Sequence, residues 1–196
     1  MRRWVVTGPA GAGKSLFCGF LARGGAAIVN GDSLGHEILG RKDISAELAG
    51  EFGTRVLRDG TVDRTVLGSI VFDDPAALER LNGITHGPLS DLAARRLDDI
   101  EKTGSHRLAV LEAAVYFLLP PVPGVELVIT VTASDATRMT RLMEGAGFDR
   151  KEARSRIAAQ RALEKGWAGA DIVLVNEGPL GALESEAAAL LARLED

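Results

Sequence analysis

Gly8-Pro9-Ala10-Gly11-Ala12-Gly13-Lys14-Ser15 fits the template of a glycine, four residues, then Gly-Lys-Ser/Thr. Ahead of it, Arg3–Thr7 is short, apolar and β-branched, and reads as a buried strand. Behind it, Leu16–Arg23 is an apolar-rich run closed by Gly24-Gly25, a helix stop. Strand, glycine loop and helix are the setting in which this pattern cradles phosphates. Small residues let backbone N–H groups close around the phosphate, which predicts a nucleotide cradle of Gly8, Gly11, Ala12, Gly13, Lys14, Ser15 and Leu16. Lys14 has the reach for β- and γ-phosphate oxygens, and the Ser15 hydroxyl suits a Mg²⁺ position. The competing explanation is a merely structural glycine turn; the flanking strand and helix favour binding of a nucleoside triphosphate.

A length of 196 residues suits one domain with insertions, large enough to bury a core. With 46% hydrophobic and 26% charged residues, the chain is ordinary for a globular protein. The formal charge of −4 argues against a general nucleic-acid binder, because phosphate backbones reward a basic surface. The single cysteine, Cys18, falls in the first predicted helix and is expected to pack there. One thiol forms no internal disulfide, so a reducing cytoplasm is the expected compartment. No apolar run reaches membrane-spanning length, and the glycine loop follows Met1 too soon to leave room for a signal peptide.

Five apolar runs, Arg3–Thr7, Ala26–Asn30, Arg107–Glu112, Leu127–Thr132 and Asp171–Val175, alternate with helical segments. Strands separated by helices predict a parallel sheet covered on both faces, which explains why the runs are apolar throughout. About 75 residues separate the second and third runs, far more than one crossover needs. They carry helical patterns at Ser33–Leu39, Ile44–Phe52, Val66–Val71, Pro75–Ile84 and Leu89–Thr103, with Asp73-Asp74-Pro75 as a helix start. The expected fold is therefore an α/β P-loop domain: a five-stranded parallel sheet (core about 1–33, 105–137 and 166–196) with a helical insertion at about 34–104. The insertion is expected over the carboxyl ends of the strands as a substrate-holding subdomain; the alternative is a helical decoration that only adds stability.

From Arg138 to Arg161, seven basic residues face only three acidic ones, against the sign of the whole chain. Gly145-Ala146-Gly147 divides the stretch into two helices joined by a turn. A basic helical hairpin at about 138–165 suits a lid, since phosphoryl transfer must exclude water and neutralise charge. The alternative for any one of these arginines is a solvated basic face.

Two carboxylates are candidates for the chemistry. Asp32, just past the second strand, is placed to orient an acceptor hydroxyl or to cap the following helix, and both roles are compatible. Glu112 closes an apolar strand, the arrangement that holds Mg²⁺ through water; a plain strand-end carboxylate is the other reading. His36 and His86 have no metal-ligand spacing.

Together these motifs resemble the dephospho-coenzyme A kinase family, P-loop kinases that phosphorylate a ribose 3′-hydroxyl with ATP. The resemblance runs from Trp4 to about Gly178. Its carriers after the loop are Asn30-Gly31-Asp32 with His36-Glu37, Phe52-Gly53, Asp59-Gly60-Thr61-Val62-Asp63-Arg64, Ile70-Val71-Phe72, Leu81-Asn82 and Ile84-Thr85-His86. Ile157-Ala158-Ala159-Gln160, Ala170-Asp171 and Asn176-Glu177-Gly178 are similar to the family's closing segments. The resemblance implies ATP and Mg²⁺ as requirements and dephospho-coenzyme A as the small-molecule partner, with neither nucleic acid nor membrane. It implies that Asp32 activates the acceptor hydroxyl, that Arg64 and His86 lie in the part holding the acceptor, and that Arg141 is a catalytic lid arginine beside Lys14. The chain departs from the family pattern at Asn30, Gly87, Ala114–Leu118 and Gly145, where Arg138 or Arg154 are the alternative basic residues. Two other functions remain open: a kinase of the same fold with a different hydroxyl acceptor, and a degenerate nucleotide-binding regulator. Oligomeric state is not encoded in any sustained heptad seam.

Overall fold

The computed structural model describes residues 1–71 and 74–194. Among them the chain runs β1 (Arg2–Thr7), α1 (Lys14–Arg23), β2 (Ala27–Asn30), α2 (Gly31–Leu39), α3 (Lys42–Phe52), β3 (Leu57–Arg58), β4 (Thr61–Val62), α4 (Arg64–Val71) and α5 (Pro75–Thr103). It continues through β5 (Leu108–Glu112), β6 (Leu127–Thr132), α6 (Asp135–Ala146), α7 (Arg150–Ala159), α8 (Glu164–Ala168), β7 (Ile172–Val175) and α9 (Leu180–Ala192). The expected five-stranded parallel sheet is present, in the order β2-β5-β1-β6-β7. Apolar side chains from the strands, including Val6, Val110, Ile129 and Val131, form one core with Phe17 and Leu21 of α1 and Leu183 and Leu190 of α9. This central placing of β1 carries the glycine loop to the middle of the sheet's carboxyl edge.

β7 and β2 are each one residue shorter than their apolar runs for identifiable reasons. Asp171 stays outside β7 because its carboxylate accepts the Val128 N–H at 2.7 Å, doing with a side chain what the next ladder bond would do. Ala26 instead donates its N–H to Leu21 O, completing the turn out of α1.

Two local structures differ from the sequence-based expectation. Pro75–Ile84 and Leu89–Thr103 are not separate helices; α5 continues through Pro88. Besides losing its N–H bond and crowding the carbonyl four residues back, a proline clashes with the Cβ and N–H of the residue before it, and Gly87 removes the Cβ part of that clash. A second sheet, the antiparallel pair β3–β4, was not anticipated. Its turn residues Asp59 and Gly60 have φ of 52° and 77°, the signature of a two-residue I′ turn, and an Asp-Gly pair is a favoured sequence for it. Within the expected start Asp73-Asp74-Pro75, Asp74 caps α5 by accepting the Ala76 and Ala77 N–H groups. Asp73, and Phe72 of the Ile70-Val71-Phe72 segment, lie outside the described residues.

The chain divides into two compact units: residues 1–30, 96–118 and 123–196, and residues 31–95 with 119–122. The helical unit runs from Gly31 to Arg95 and takes in Leu119–Val122. The last turns of α5 belong to the first unit because Arg3 of β1 binds Asp98 at 2.8 Å and Glu101 at 2.5 Å there. The basic hairpin α6–α7 also belongs to the first unit and forms no unit of its own. In the helical unit, Ser90 donates to Pro120 O at 3.0 Å, which ties the 119–122 segment to α5. Among the described residues, no helix is long and apolar enough to cross a membrane.

Phe17 of α1 is fully buried in the core against the sheet. Phe17→Ala should therefore cost about 3–5 kcal/mol, read as a lower urea midpoint; a loss under about 1 kcal/mol would contradict this packing.

Candidate active site

The glycine loop is shaped by what surrounds it. Gly8 has φ of 128°, and a Cβ there would sit on the Val131 carbonyl of the neighbouring strand. Gly13, at φ of 102°, forms the N-cap of α1 and lies against the Asn176 side chain. Gly13 makes no side-chain bond at the cap, and the helix dipole favours negative charge at this N-terminus. α1 thus starts at Lys14, two residues earlier than the apolar run indicates.

The loop's carbonyls are held from outside. Asn176, buried after β7, donates its side-chain N–H to Ala12 O at 2.8 Å. Arg141 of α6 donates to the same carbonyl at 3.3 Å and to Asn176 O at 3.0 Å. Arg138, one turn earlier and almost fully buried, donates from Nε to Ala10 O at 2.9 Å and pairs with Asp135 at 3.0 Å. Burial pulls the Arg138 guanidinium below its usual value, opposed by the Asp135 and Glu164 carboxylates. Lys14 Nζ donates to Pro9 O at 3.0 Å. Tying the Ala10 and Ala12 carbonyl oxygens outward turns the Gly11 and Gly13 amide hydrogens of the same peptides the other way, to face an anion.

At the other end of the loop, Ser15 Oγ donates to Glu112 Oε1 at 2.6 Å. Asn30 stands opposite Glu112 in the β2–β5 register and donates to its other oxygen at 3.3 Å. A hydroxyl beside a buried carboxylate is a hard oxygen donor set of the type Mg²⁺ takes, with water completing its shell. Among the described residues no cluster of three or more His, Cys, Asp or Glu could hold a metal ion. Cys18 is buried under the same region, and desolvation pushes its thiol well up, so it packs without being nucleophilic.

The structure thus gathers Lys14, Ser15, Glu112 and Arg141 around the loop in the first unit. The other expected residues lie in the helical unit, on three helices. Asp32 is exposed in the first turn of α2, inside the helix and not at its cap position. Arg64 is the first residue of α4, whose N-terminus is capped by Asp63 through Thr65 and Val66 N–H groups at 3.0 and 3.2 Å. His86 is half-buried within α5.

The sequence model of dephospho-CoA kinase matches residues 4–181. The chain belongs to the dephospho-CoA kinase family. It is 38% identical over 188 residues to the dephospho-CoA kinase of Streptomyces avermitilis, covering 91% of this chain and 87% of that protein. It is 34% identical to the dephospho-CoA kinase of Geobacter sulfurreducens, covering 91% of each chain. In three dimensions it is similar to the crystal structure of TT1252 from Thermus thermophilus, with a TM-score of 0.78 and 29% identity over 98% of this chain.

Within this dephospho-CoA kinase family member, two departures from the pattern acquire physical content. Asn30 places an amide donor, not a second carboxylate, against buried Glu112. Phe117, in the changed 114–118 segment, packs so closely on α8 that a Cβ at Gly166 would lie 2.8 Å from its own. Sequence reasoning gave no role to Asn176 or Glu177, because a brace under a loop leaves no local pattern; their only signal was the resemblance of the Asn176-Glu177-Gly178 segment. Glu177 accepts the Ser134 N–H and, at 2.6 Å, the Thr137 hydroxyl, joining the segment after β7 to the start of α6. The Ser134 N–H first, then Thr137, hold its carboxyl below the usual glutamate range.

The fold favours the ionised form of Glu177, so its contribution is complete above the ordinary glutamate pKa and fades as pH falls through the lowered value. Glu177→Gln should consequently reduce the urea midpoint at pH 7 and narrow the difference from the parent protein as pH approaches 3. A constant difference across that range would contradict the assignment.

Proposed function

We propose that this member of the dephospho-CoA kinase family transfers the γ-phosphoryl group of ATP to the ribose 3′-hydroxyl of dephospho-coenzyme A, giving coenzyme A and ADP. The observation that carries the reading is the phosphate loop with its carbonyls tied outward and Ser15 hydrogen-bonded to Glu112. Loop N–H groups at Gly11 and from Gly13 to Leu16 bind the triphosphate, and Lys14 exchanges its Pro9 carbonyl for phosphate oxygens. Ser15, with Glu112 through water, would hold Mg²⁺, which supplies charge neutralisation at the phosphates. Arg141 spends one donor on each of two carbonyls, and a guanidinium has five, so donors remain for the transferring group. Arg64 and His86 hold the acceptor.

Asp32 takes the proton of the 3′-hydroxyl as its oxygen forms the bond to the γ-phosphorus. The bond from that phosphorus to the bridging oxygen breaks, and its electron pair leaves with ADP. Support for Asp32 comes from its place two residues beyond β2 and from the family resemblance of Asn30-Gly31-Asp32. The cytoplasm is the proposed site of action, in keeping with an enzyme of coenzyme synthesis.

Asp32→Asn should retain ATP affinity while turnover falls by about 10²–10⁴-fold in a coupled ADP assay; near-normal turnover would remove Asp32 from the chemistry. Lys14→Ala should weaken both ATP binding and turnover, and unchanged ATP affinity would count against the loop assignment. In a panel of ribose, nucleotide and simple alcohol acceptors, dephospho-coenzyme A should be clearly preferred; a stronger response to another hydroxyl would reassign the acceptor.

A further inference from the structure

We infer that Gln160 is a positioning residue for the phosphate loop, acting on nucleotide binding through the Ala10 peptide. This rests on the reading of the loop as the ATP site. The Ile157-Ala158-Ala159-Gln160 segment was marked in the sequence without a role, and the structure places its last residue at the end of α7, as the C-cap. Gln160 Oε1 accepts the Ala10 N–H at 2.8 Å and faces Arg138 Nη2 at 3.4 Å. Both neighbours are donors, so the oxygen and not the amide nitrogen must occupy this point. Its own backbone is committed elsewhere, with its N–H on Ile157 O and its C=O receiving Leu163 N–H. The side chain is therefore fixed at its root.

Ala10 is engaged on every side by the α6–α7 hairpin. Its N–H goes to Gln160, its C=O to Arg138, and its methyl packs on the cluster of Leu142, Ala153 and Ile157. Holding both polar groups of one residue fixes the planes of the two peptides flanking it. The second of those peptides carries the Gly11 N–H, so its direction is set by the same two bonds. Gln160 touches no phosphate in this arrangement; it helps set where the Gly11 N–H points. The basic hairpin thereby serves the loop through structure as well as charge.

Two substitutions separate this role from general stability. Gln160→Met keeps length and shape but removes the acceptor, leaving the Ala10 N–H and the Arg138 guanidinium short of a partner. Gln160→Glu keeps an acceptor at the same point and pairs with Arg138. Direct titration with ADP should show about tenfold weaker binding for Gln160→Met, while its affinity for dephospho-coenzyme A stays within twofold of the parent. Gln160→Glu should restore ADP affinity to within threefold of the parent. Should Gln160→Met fail to fold, Gln160→Ala makes the same comparison against Gln160→Glu. ADP binding unchanged in the variant without an acceptor, an equal loss of both ligands, or no rescue by glutamate would each overturn the inference. Failure of the parent protein to bind ADP would instead overturn the reading of the loop.

Discussion

The Ala12 carbonyl, held by the buried Asn176 amide and by Arg141, is the point on which the site depends. A phosphate loop presents amide hydrogens to an anion only if its carbonyl oxygens are turned away. A carbonyl turned away and buried needs a donor, because an unsatisfied buried acceptor is costly. Here the donors come from α6 and the segment after β7, parts of the chain more than 120 residues beyond the loop in sequence. Every buried side-chain polar atom among the described residues has a partner, so the braces do not leave a deficit elsewhere. Binding and folding use the same bonds.

The sheet makes this arrangement possible. β1 lies between β5 and β6, which brings Glu112 to one side of the loop and Val131 to the other. The close approach to Val131 requires a residue without a side chain at Gly8, and the neighbouring strand ends with Glu112 at the distance Ser15 can span. Glu112 is in turn positioned by Asn30 across the β2–β5 pair. The resulting line of polar groups, Asn30 to Glu112 to Ser15, crosses three elements that the chain order keeps far apart. An amide at position 30 adds a hydrogen-bond donor, and no second carboxyl, beside the buried Glu112 side chain.

The parallel sheet and the loop were legible because their signals are local: apolar runs of strand length, a fixed glycine spacing, and a helix with a glycine stop. The helices of the second unit were legible in place but not in number, since the last two of the five expected segments are the single helix α5. Gly87-Pro88 reads as a break in isolation, and only the geometry shows that a glycine before the proline lets the helix pass. The β3–β4 hairpin carried a clear signal in Asp59-Gly60 that its two-residue strands were too short to reinforce. Among site residues, Lys14, Ser15 and Glu112 could be named because each sits at a fixed offset from a strand or a loop. Asn176 and Gln160 could not, and Arg138 only as an alternative lid arginine, since their partners include backbone atoms of Ala10 and Ala12, and backbone atoms leave no trace in side-chain patterns. The charge of the 138–161 stretch pointed toward phosphate neutralisation; the structure adds that its most buried arginine is spent on a carbonyl and a carboxylate.

The central claim is the identity of the bond that the enzyme makes. Phosphorus NMR of a mixture of the protein, Mg²⁺, ATP and dephospho-coenzyme A tests it most directly, because a phosphomonoester on the ribose differs from the diphosphate bridge already in the acceptor. The account predicts one new phosphomonoester resonance, coupled to the 3′ proton and growing in step with ADP. ADP formed without that resonance, or a phosphomonoester attached at another hydroxyl, would contradict it.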